Sequence, residues 1–144
     1  MFKAFGTIPS LHMRSRRERI LPFIAITLIY SVVVLMFFYK VTQNVNFNKV
    51  MLIVACMVLT ATLFTFFQKI SIHSLAICGA LGILIPLNKA VENSVLLWLS
   101  IAVLILAGLV MSARLYLNAH TPREVLYGAV TGFSVGFLGM IILF

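Results

Sequence analysis

Charged residues are scarce in this sequence, and acidic ones are the scarcest. Only 10% of the 144 residues are Asp, Glu, Lys or Arg, and three of these are acidic against eleven that are basic. With 62% of its residues hydrophobic, the chain has too little polar surface to cover a soluble domain of its size. This scarcity excludes an ordinary soluble protein and indicates that lipid surrounds most of the side chains.

Cysteine is also rare, and the two present, Cys56 and Cys78, lie inside apolar stretches. We interpret them as small packing residues that indicate nothing about the redox compartment. A convincing small-residue cleavage site is missing after the basic start, so no cleaved signal peptide is expected. The net charge of +8 comes without interleaved aromatic and basic residues, so nucleic acid is not an expected partner.

What the sequence does contain is a set of long stretches without Asp, Glu, Lys or Arg. They are Ile20–Tyr39, Val50–Gln68, Ile70–Asn88, Asn93–Ala113 and Val125–Phe144. Each is close to the roughly 20 residues that a helix needs to cross a bilayer, and none alternates polar and apolar residues as a barrel strand would. The prediction is an all-α fold, a polytopic transmembrane helical bundle of about five transmembrane helices.

The predicted boundaries follow the polar residues between these stretches. We expect one membrane domain over residues 1–144, with a basic N-terminal segment at 1–19 and the helical bundle at 20–144. The first helix is expected to begin near Pro22, a residue tolerated in a first turn. Polar turns are expected at Lys40–Lys49 and at Asn118–Glu124.

An odd number of crossings sorts the charges between the two membrane faces. The basic N-terminal segment, the Lys69–His73 turn and the Arg114–Glu124 turn fall on one face, and the basic residues of the other face are only Lys40, Lys49 and Lys89. The positive-inside rule would make the basic face cytoplasmic. Arginines that serve a functional site would bias that count, so the orientation stays open. Basic clusters beside helices also attract anionic headgroups, so membrane lipids are expected partners.

The last helix carries Gly128, Gly132 and Gly136 at four-residue spacing. Small residues at this spacing let membrane helices approach closely. Packing within the chain is the favoured interpretation, and a homo-oligomer formed through these glycines is the alternative.

Ionisable groups near the hydrocarbon are costly, which gives two turns of the basic face a functional interpretation. An imidazole held by a carboxylate is an oriented nucleophile or base, and Glu124 follows His120 by four residues. A second imidazole, His73, can donate a proton to a leaving oxygen, while Arg114 and Lys69 can stabilise an anion. Such a set suits phosphoryl transfer without a metal or other cofactor, because basic side chains would oppose a bound cation.

These segments resemble the type 2 phosphatidic acid phosphatase superfamily, which shares its core with bacterial acid phosphatases and vanadium haloperoxidases. Ser71-Ile72-His73 matches two of three places in the family's Ser-Gly-His motif, and Glu124 stands where the third motif has Asp. Arg114, five residues, His120, three residues and Glu124 keep the third motif's spacing, two crossings later. The first motif has only a looser counterpart, which consists of Arg16, Arg19 and Pro22.

The resemblance implies an enzyme, a phosphoric monoester or diphosphate hydrolase acting on a lipid phosphate. In it His120 attacks phosphorus and forms a phosphohistidine, Glu124 orients His120, and His73 protonates the leaving group. Five further residues are expected to bind the substrate: Arg114, Ser71, Lys69, Arg19 and Arg16. The expected location is a cell membrane, and more narrowly a bacterial inner membrane.

Two other functions stay open at this point. One is a non-catalytic membrane protein that binds anionic lipid or a partner helix. The other is a transporter, which ranks last because paired charges at mid-membrane depth and a clear internal repeat are both missing from the sequence.

Overall fold

A computed structural model describes residues 17–41, 45–91 and 94–144, and within these ranges the chain is helical apart from short turns. The helices are α1 (Arg17–Met36), α2 (Val45–Phe67), α3 (Ile72–Val91), α4 (Ser94–Tyr116) and α5 (Pro122–Leu143), with a π-helical turn at Phe37–Val41 after α1. All five are long and apolar enough to cross a membrane. The predicted all-α, multi-pass architecture is therefore confirmed.

Three helix ends differ from their predicted positions. The first helix begins at Arg17, so Pro22 lies beyond its first turn and removes one backbone donor there. The second begins at Val45, inside the stretch expected to be a linker, and the fifth begins at Pro122. The predicted helix ends follow the charged residues of each turn. The observed helices continue into the membrane interface, where water and headgroups accept polar side chains.

The centre of the bundle is the pair formed by α3 and α5, and glycine explains how closely they pack. A Cβ added at Gly128, Gly132 or Gly136 would collide with a backbone carbonyl oxygen of α3 or its N-cap residue, those of Ser71, Leu75 and Gly79 respectively. These glycines therefore face another helix of the same chain. The glycine face of α5 therefore packs within the chain, in agreement with the favoured interpretation.

The other helices surround this pair. The helix α4 packs against α3, and α2 packs against α5 and α1. Ile53, Met57 and Ala61 of α2 join Leu75 and Met140 in the largest buried cluster. Only 11% of the most apolar stretch of α1 and 6% of that of α4 are buried against the rest of the chain. These two helices therefore expose most of their side chains to lipid.

The α2–α3 turn and the α4–α5 turn meet at one end of the bundle. The Ser71 N–H donates to the Glu124 carbonyl at 3.0 Å. At the opposite end, Nζ of Lys49 lies 4.9 Å from the ring centroid of Phe144. The structure thus brings together the turn before α3 and the turn after α4, as the crossing order predicted.

Candidate functional site

The end of α4 sets the direction in which the His120 segment leaves the bundle. Asn118 has a φ of 49°, the left-handed conformation in which asparagine often ends a helix. The Asn118 N–H donates to Leu115 O at 3.0 Å and the Ala119 N–H donates to Arg114 O at 3.2 Å, the pair of bonds of a Schellman motif. The chain therefore reverses at once, and His120 comes to lie beside the start of α5.

The start of α5 is fixed by a cap that the sequence analysis missed. Thr121 is the N-cap, its hydroxyl accepts from the Glu124 N–H at 3.3 Å, and Pro122 follows it. A threonine three residues before a glutamate is the signature of a capping box, so the signal was present in the sequence. This cap places Glu124 in the first helical turn, one turn above the residue that precedes the cap.

That residue is His120, and its side chain meets Glu124 directly. Nδ1 of His120 lies 2.7 Å from Oε2 of Glu124. The side chain of His120 is only 4% exposed, and that of Glu124 is 19% exposed. A short hydrogen bond to a carboxylate at this largely buried position fixes the orientation of the imidazole ring. It also favours the tautomer that carries its proton on Nδ1.

Lys69, from the α2–α3 turn, completes this group. Its Nζ lies 3.5 Å from Oε2 of Glu124 and donates to the Ala119 carbonyl at 3.3 Å. Lys69, His120 and Glu124 are named the site cluster below. One carboxylate oxygen thus contacts an ammonium group on one side and an imidazole on the other.

Lys69 and His120 of the site cluster border a cavity of about 360 Å³, named the turn cavity. This volume is within the range usual for small-ligand sites. The lining comes from the two turns and the adjoining ends of α4 and α5, and consists of Lys69, Leu115, Asn118, Ala119, His120, Thr121 and Pro122. A cation and an imidazole on one wall make this cavity suitable for an anionic group.

The position of Ser71 in the structure differs from the one expected for a phosphate ligand. It is fully buried, and it precedes the first residue of α3. Its hydroxyl accepts from the Ser74 hydroxyl at 2.9 Å and lies 3.5 Å from the Ser74 N–H. Ser71 is therefore the N-cap of α3, a role that a serine directly before an apolar helical stretch could have indicated.

His73 and Arg114 lie outside the site cluster. His73 is exposed in the first turn of α3, and Arg114 lies in the last turn of α4. Nε of Arg114 is buried and has no hydrogen-bond partner among the described residues. Within the part of the chain that the structure describes, the lining of the turn cavity includes neither side chain. The convergence of His73, Arg114 and His120 on one phosphate therefore stays a prediction.

Two of the predicted substrate ligands come from the start of the chain. Arg16 lies outside the described residues, and of Arg19 the structure describes only the helical backbone, in α1. Among the described residues there is no group of three or more His, Cys, Asp or Glu side chains that could hold a metal ion.

Comparisons with family models, with curated proteins and with solved structures found no match to this chain. The resemblance to the phosphatidic acid phosphatase superfamily thus stands on the two motifs alone.

Proposed function

We propose that this protein is a membrane phosphatase that hydrolyses a lipid phosphate or diphosphate through a phosphohistidine at His120. The observation that carries the proposal is the 2.7 Å contact between His120 Nδ1 and Glu124 Oε2 at the edge of the turn cavity. A bilayer-spanning protein with a site at one end of its bundle can bind a phosphate headgroup while the hydrocarbon of the substrate stays in lipid. The location that goes with this activity is a bacterial inner membrane.

The first chemical step is transfer of the phosphoryl group to His120. With its proton on Nδ1 and directed to Glu124, the ring has its lone pair on Nε2, the nitrogen that attacks phosphorus. The Nε2–P bond forms as the bond between phosphorus and the leaving oxygen breaks. The carboxylate of Glu124 stabilises the positive charge that develops on the ring, as in other oriented histidine sites.

The second step returns the enzyme to its starting state. A water molecule attacks phosphorus and gives a proton to His73, which lost one to the leaving oxygen in the first step. The P–N bond breaks, its electron pair returns to Nε2 of His120, and inorganic phosphate leaves. Lys69 borders the cavity, so its ammonium group is suited to the charge of the transferred group in both steps.

His73 and Arg114 keep proposed roles that differ from those of the site cluster. His73 is the proposed proton donor to the leaving oxygen, and Arg114 the proposed ligand of phosphate oxygens. The unpaired, buried Nε of Arg114 supports the second role, because a guanidinium donor without a partner among the described residues is one that an anion would satisfy.

A second candidate function is non-catalytic binding of anionic lipid headgroups. Its support is that Lys69 lines the turn cavity, whereas Arg114, another basic residue of this end, is not among the residues that line it. A binding protein needs positive charge near the headgroups but no convergence on one phosphorus atom.

The test is phosphate release by the purified protein in lipid nanodiscs, with phosphatidate and a polyprenyl diphosphate as substrates. His120→Ala should lower kcat/KM by at least about 10³-fold, the loss typical when a nucleophile is removed. His12→Ala is the matched control, since it removes a histidine that has no part in the proposal. Rapid quenching with radiolabelled substrate should trap acid-labile label on wild type and none on His120→Ala.

Two results would reject the enzyme in favour of the binding protein. One is wild-type protein that releases no phosphate yet binds phosphatidate vesicles. The other is release that survives His120→Ala, which would mark the activity as a contaminant.

A further inference from the structure

A groove runs between α3 and the pair formed by α1 and α2, away from the glycine-rich contact between α3 and α5. Its volume is about 400 Å³, and its walls are aliphatic and aromatic side chains. On α3 it is bordered by Ile72, Ala76, Ala80 and Ile83 among others, and on α1 by Phe23 among others.

The packing of the helices explains why the groove exists. The glycine face of α3 is taken by α5 and another face by α4, whereas α2 packs against α1 and α5. The side of α3 that remains carries Ala76, which is exposed, and Ala80, which is half-buried. Two short side chains one turn apart leave a trough that larger residues would fill.

The position of the groove decides what kind of molecule it takes. Its lining residues lie within the membrane-spanning parts of α1, α2 and α3, so the groove faces the hydrocarbon of the bilayer. Water is strongly disfavoured against such walls. From Ile72 to Ile83 a helix rises about 16 Å, roughly half the hydrocarbon thickness of a bilayer. A single hydrocarbon chain that starts at the interface fits this length.

The groove also begins where the candidate site lies. Ile72 follows Ser71, whose N–H donates to the Glu124 carbonyl at 3.0 Å. Lys69, three residues before Ile72, lines the turn cavity. Only the width of the α2–α3 turn therefore separates the place for a phosphate from the end of the groove.

From these relationships we infer that the groove binds one hydrocarbon chain of the lipid phosphate whose headgroup occupies the turn cavity, an inference that rests on the proposed function. The groove then selects substrates by chain length, because a chain that fills it buries apolar surface that a short chain leaves exposed. Bulk membrane lipid is the alternative occupant, and the experiment separates the two.

The first measurement is kcat/KM for dioleoyl and dihexanoyl phosphatidate with wild type, Ala76→Phe and Ala80→Phe. Each substitution fills the trough from a different turn of α3. We expect each to lower kcat/KM for the long-chain substrate about tenfold or more, with a change of less than a factor of two or so for the short-chain substrate. Ala102→Phe, at an exposed position of α4, is the matched control and should change neither.

Because one of these variants can fail to fold, both are made, and thermal unfolding is followed for each. Equal effects on the two substrates in a folded variant, or effects no larger than those of Ala102→Phe, would overturn the inference. Failure of the proposed function has a different result, namely wild-type activity that His120→Ala does not remove.

The second measurement does not depend on turnover. Phosphatidate with a diazirine in its acyl chain is crosslinked to the protein, and the labelled peptides are mapped. We expect labelling of α3 between Ile72 and Ile83, competed by dioleoyl phosphatidate but not by phosphatidylcholine with the same chains. Equal competition by both lipids would assign the groove to bulk lipid and overturn the inference.

Discussion

Oε2 of Glu124 lies 2.7 Å from Nδ1 of His120, across one helical turn whose cap is Thr121. The same oxygen lies 3.5 Å from Nζ of Lys69, which reaches it from the α2–α3 turn. The orientation of the imidazole is therefore set by three separate elements: the α4–α5 turn, the first turn of α5 and the turn before α3. Substitutions of Glu124 should therefore change the orientation of the imidazole more than they change the stability of the fold.

Glu124→Gln should lower kcat/KM for phosphate release by about 10³–10⁴-fold, the size of effect seen when an orienting carboxylate becomes an amide. The amide has nearly the same shape, but it can donate to Nδ1 and so stabilise the wrong tautomer. Glu124→Asp, which retains the charge, should keep more activity. Thermal unfolding should shift little in either variant, and a Glu124→Gln protein within a factor of a few of wild type would contradict the proposed role.

Ser71→Ala tests the difference between a helix cap and a phosphate ligand. Since the hydroxyl is fully buried and bonded to Ser74, its loss should cost about 0.5–2 kcal/mol of unfolding free energy, as for other N-caps. Activity per folded molecule should change by only a few-fold. The control is Ser134→Ala, at an exposed position of α5.

The opposite pattern for Ser71→Ala would return Ser71 to the substrate-binding residues. That pattern is a large loss of kcat/KM with an unchanged unfolding transition. Thermal unfolding and phosphate release, measured on the same preparation, distinguish the two patterns.

Gly132→Ala tests the contact between α3 and α5. The added methyl group would collide with the carbonyl oxygen of Leu75, so the helices must separate, at a cost of about 1–3 kcal/mol. Gly108→Ala is the matched control, because a Cβ there meets no atom of the described chain within 4 Å. It should be neutral or stabilising by about 0.5–1 kcal/mol, since alanine has the higher helix propensity.

Unfolding in mixed micelles, followed by circular dichroism, measures both glycine variants. Equal stabilities for Gly132→Ala and Gly108→Ala would mean that the close packing of α3 on α5 is wrong. A Gly132→Ala protein that stays stable but loses an oligomer would instead assign the glycine face to contacts between copies.

The sequence predicted the number of helices well, because five charge-free stretches of bilayer length allow few other structures. The helix ends were harder, since Val45 and Pro122 start helices among polar residues that the charge pattern assigned to turns. The four-residue spacing of His120 and Glu124 indicated a pair, and the cap at Thr121 makes it one. The burial of Ser71 could not be predicted, because it depends on how α3 rotates against α5.

Vanadate should inhibit the phosphatase competitively with substrate, because its oxyanion adopts the five-coordinate geometry of a phosphoryl group in transfer. The proposed site supplies Nε2 of His120 on one side of the anion and the ammonium of Lys69 near its oxygens. Lys69→Met should therefore raise the inhibition constant by about 10- to 100-fold, the value of one hydrogen bond to a charged group. Lys89→Met, in the last turn of α3, is the matched control and should leave inhibition unchanged.

The side chain of Lys69 is 28% exposed, so its loss should change the unfolding free energy by only about 0–1 kcal/mol. A large effect on vanadate with a small effect on stability would therefore locate the anion beside Lys69. Inhibition that is noncompetitive, or equally strong in Lys69→Met and Lys89→Met, would place the anion away from the turn cavity. Arg114, in the last turn of α4, is another basic residue at this end of the bundle, and the same measurement on Arg114→Met would then test it.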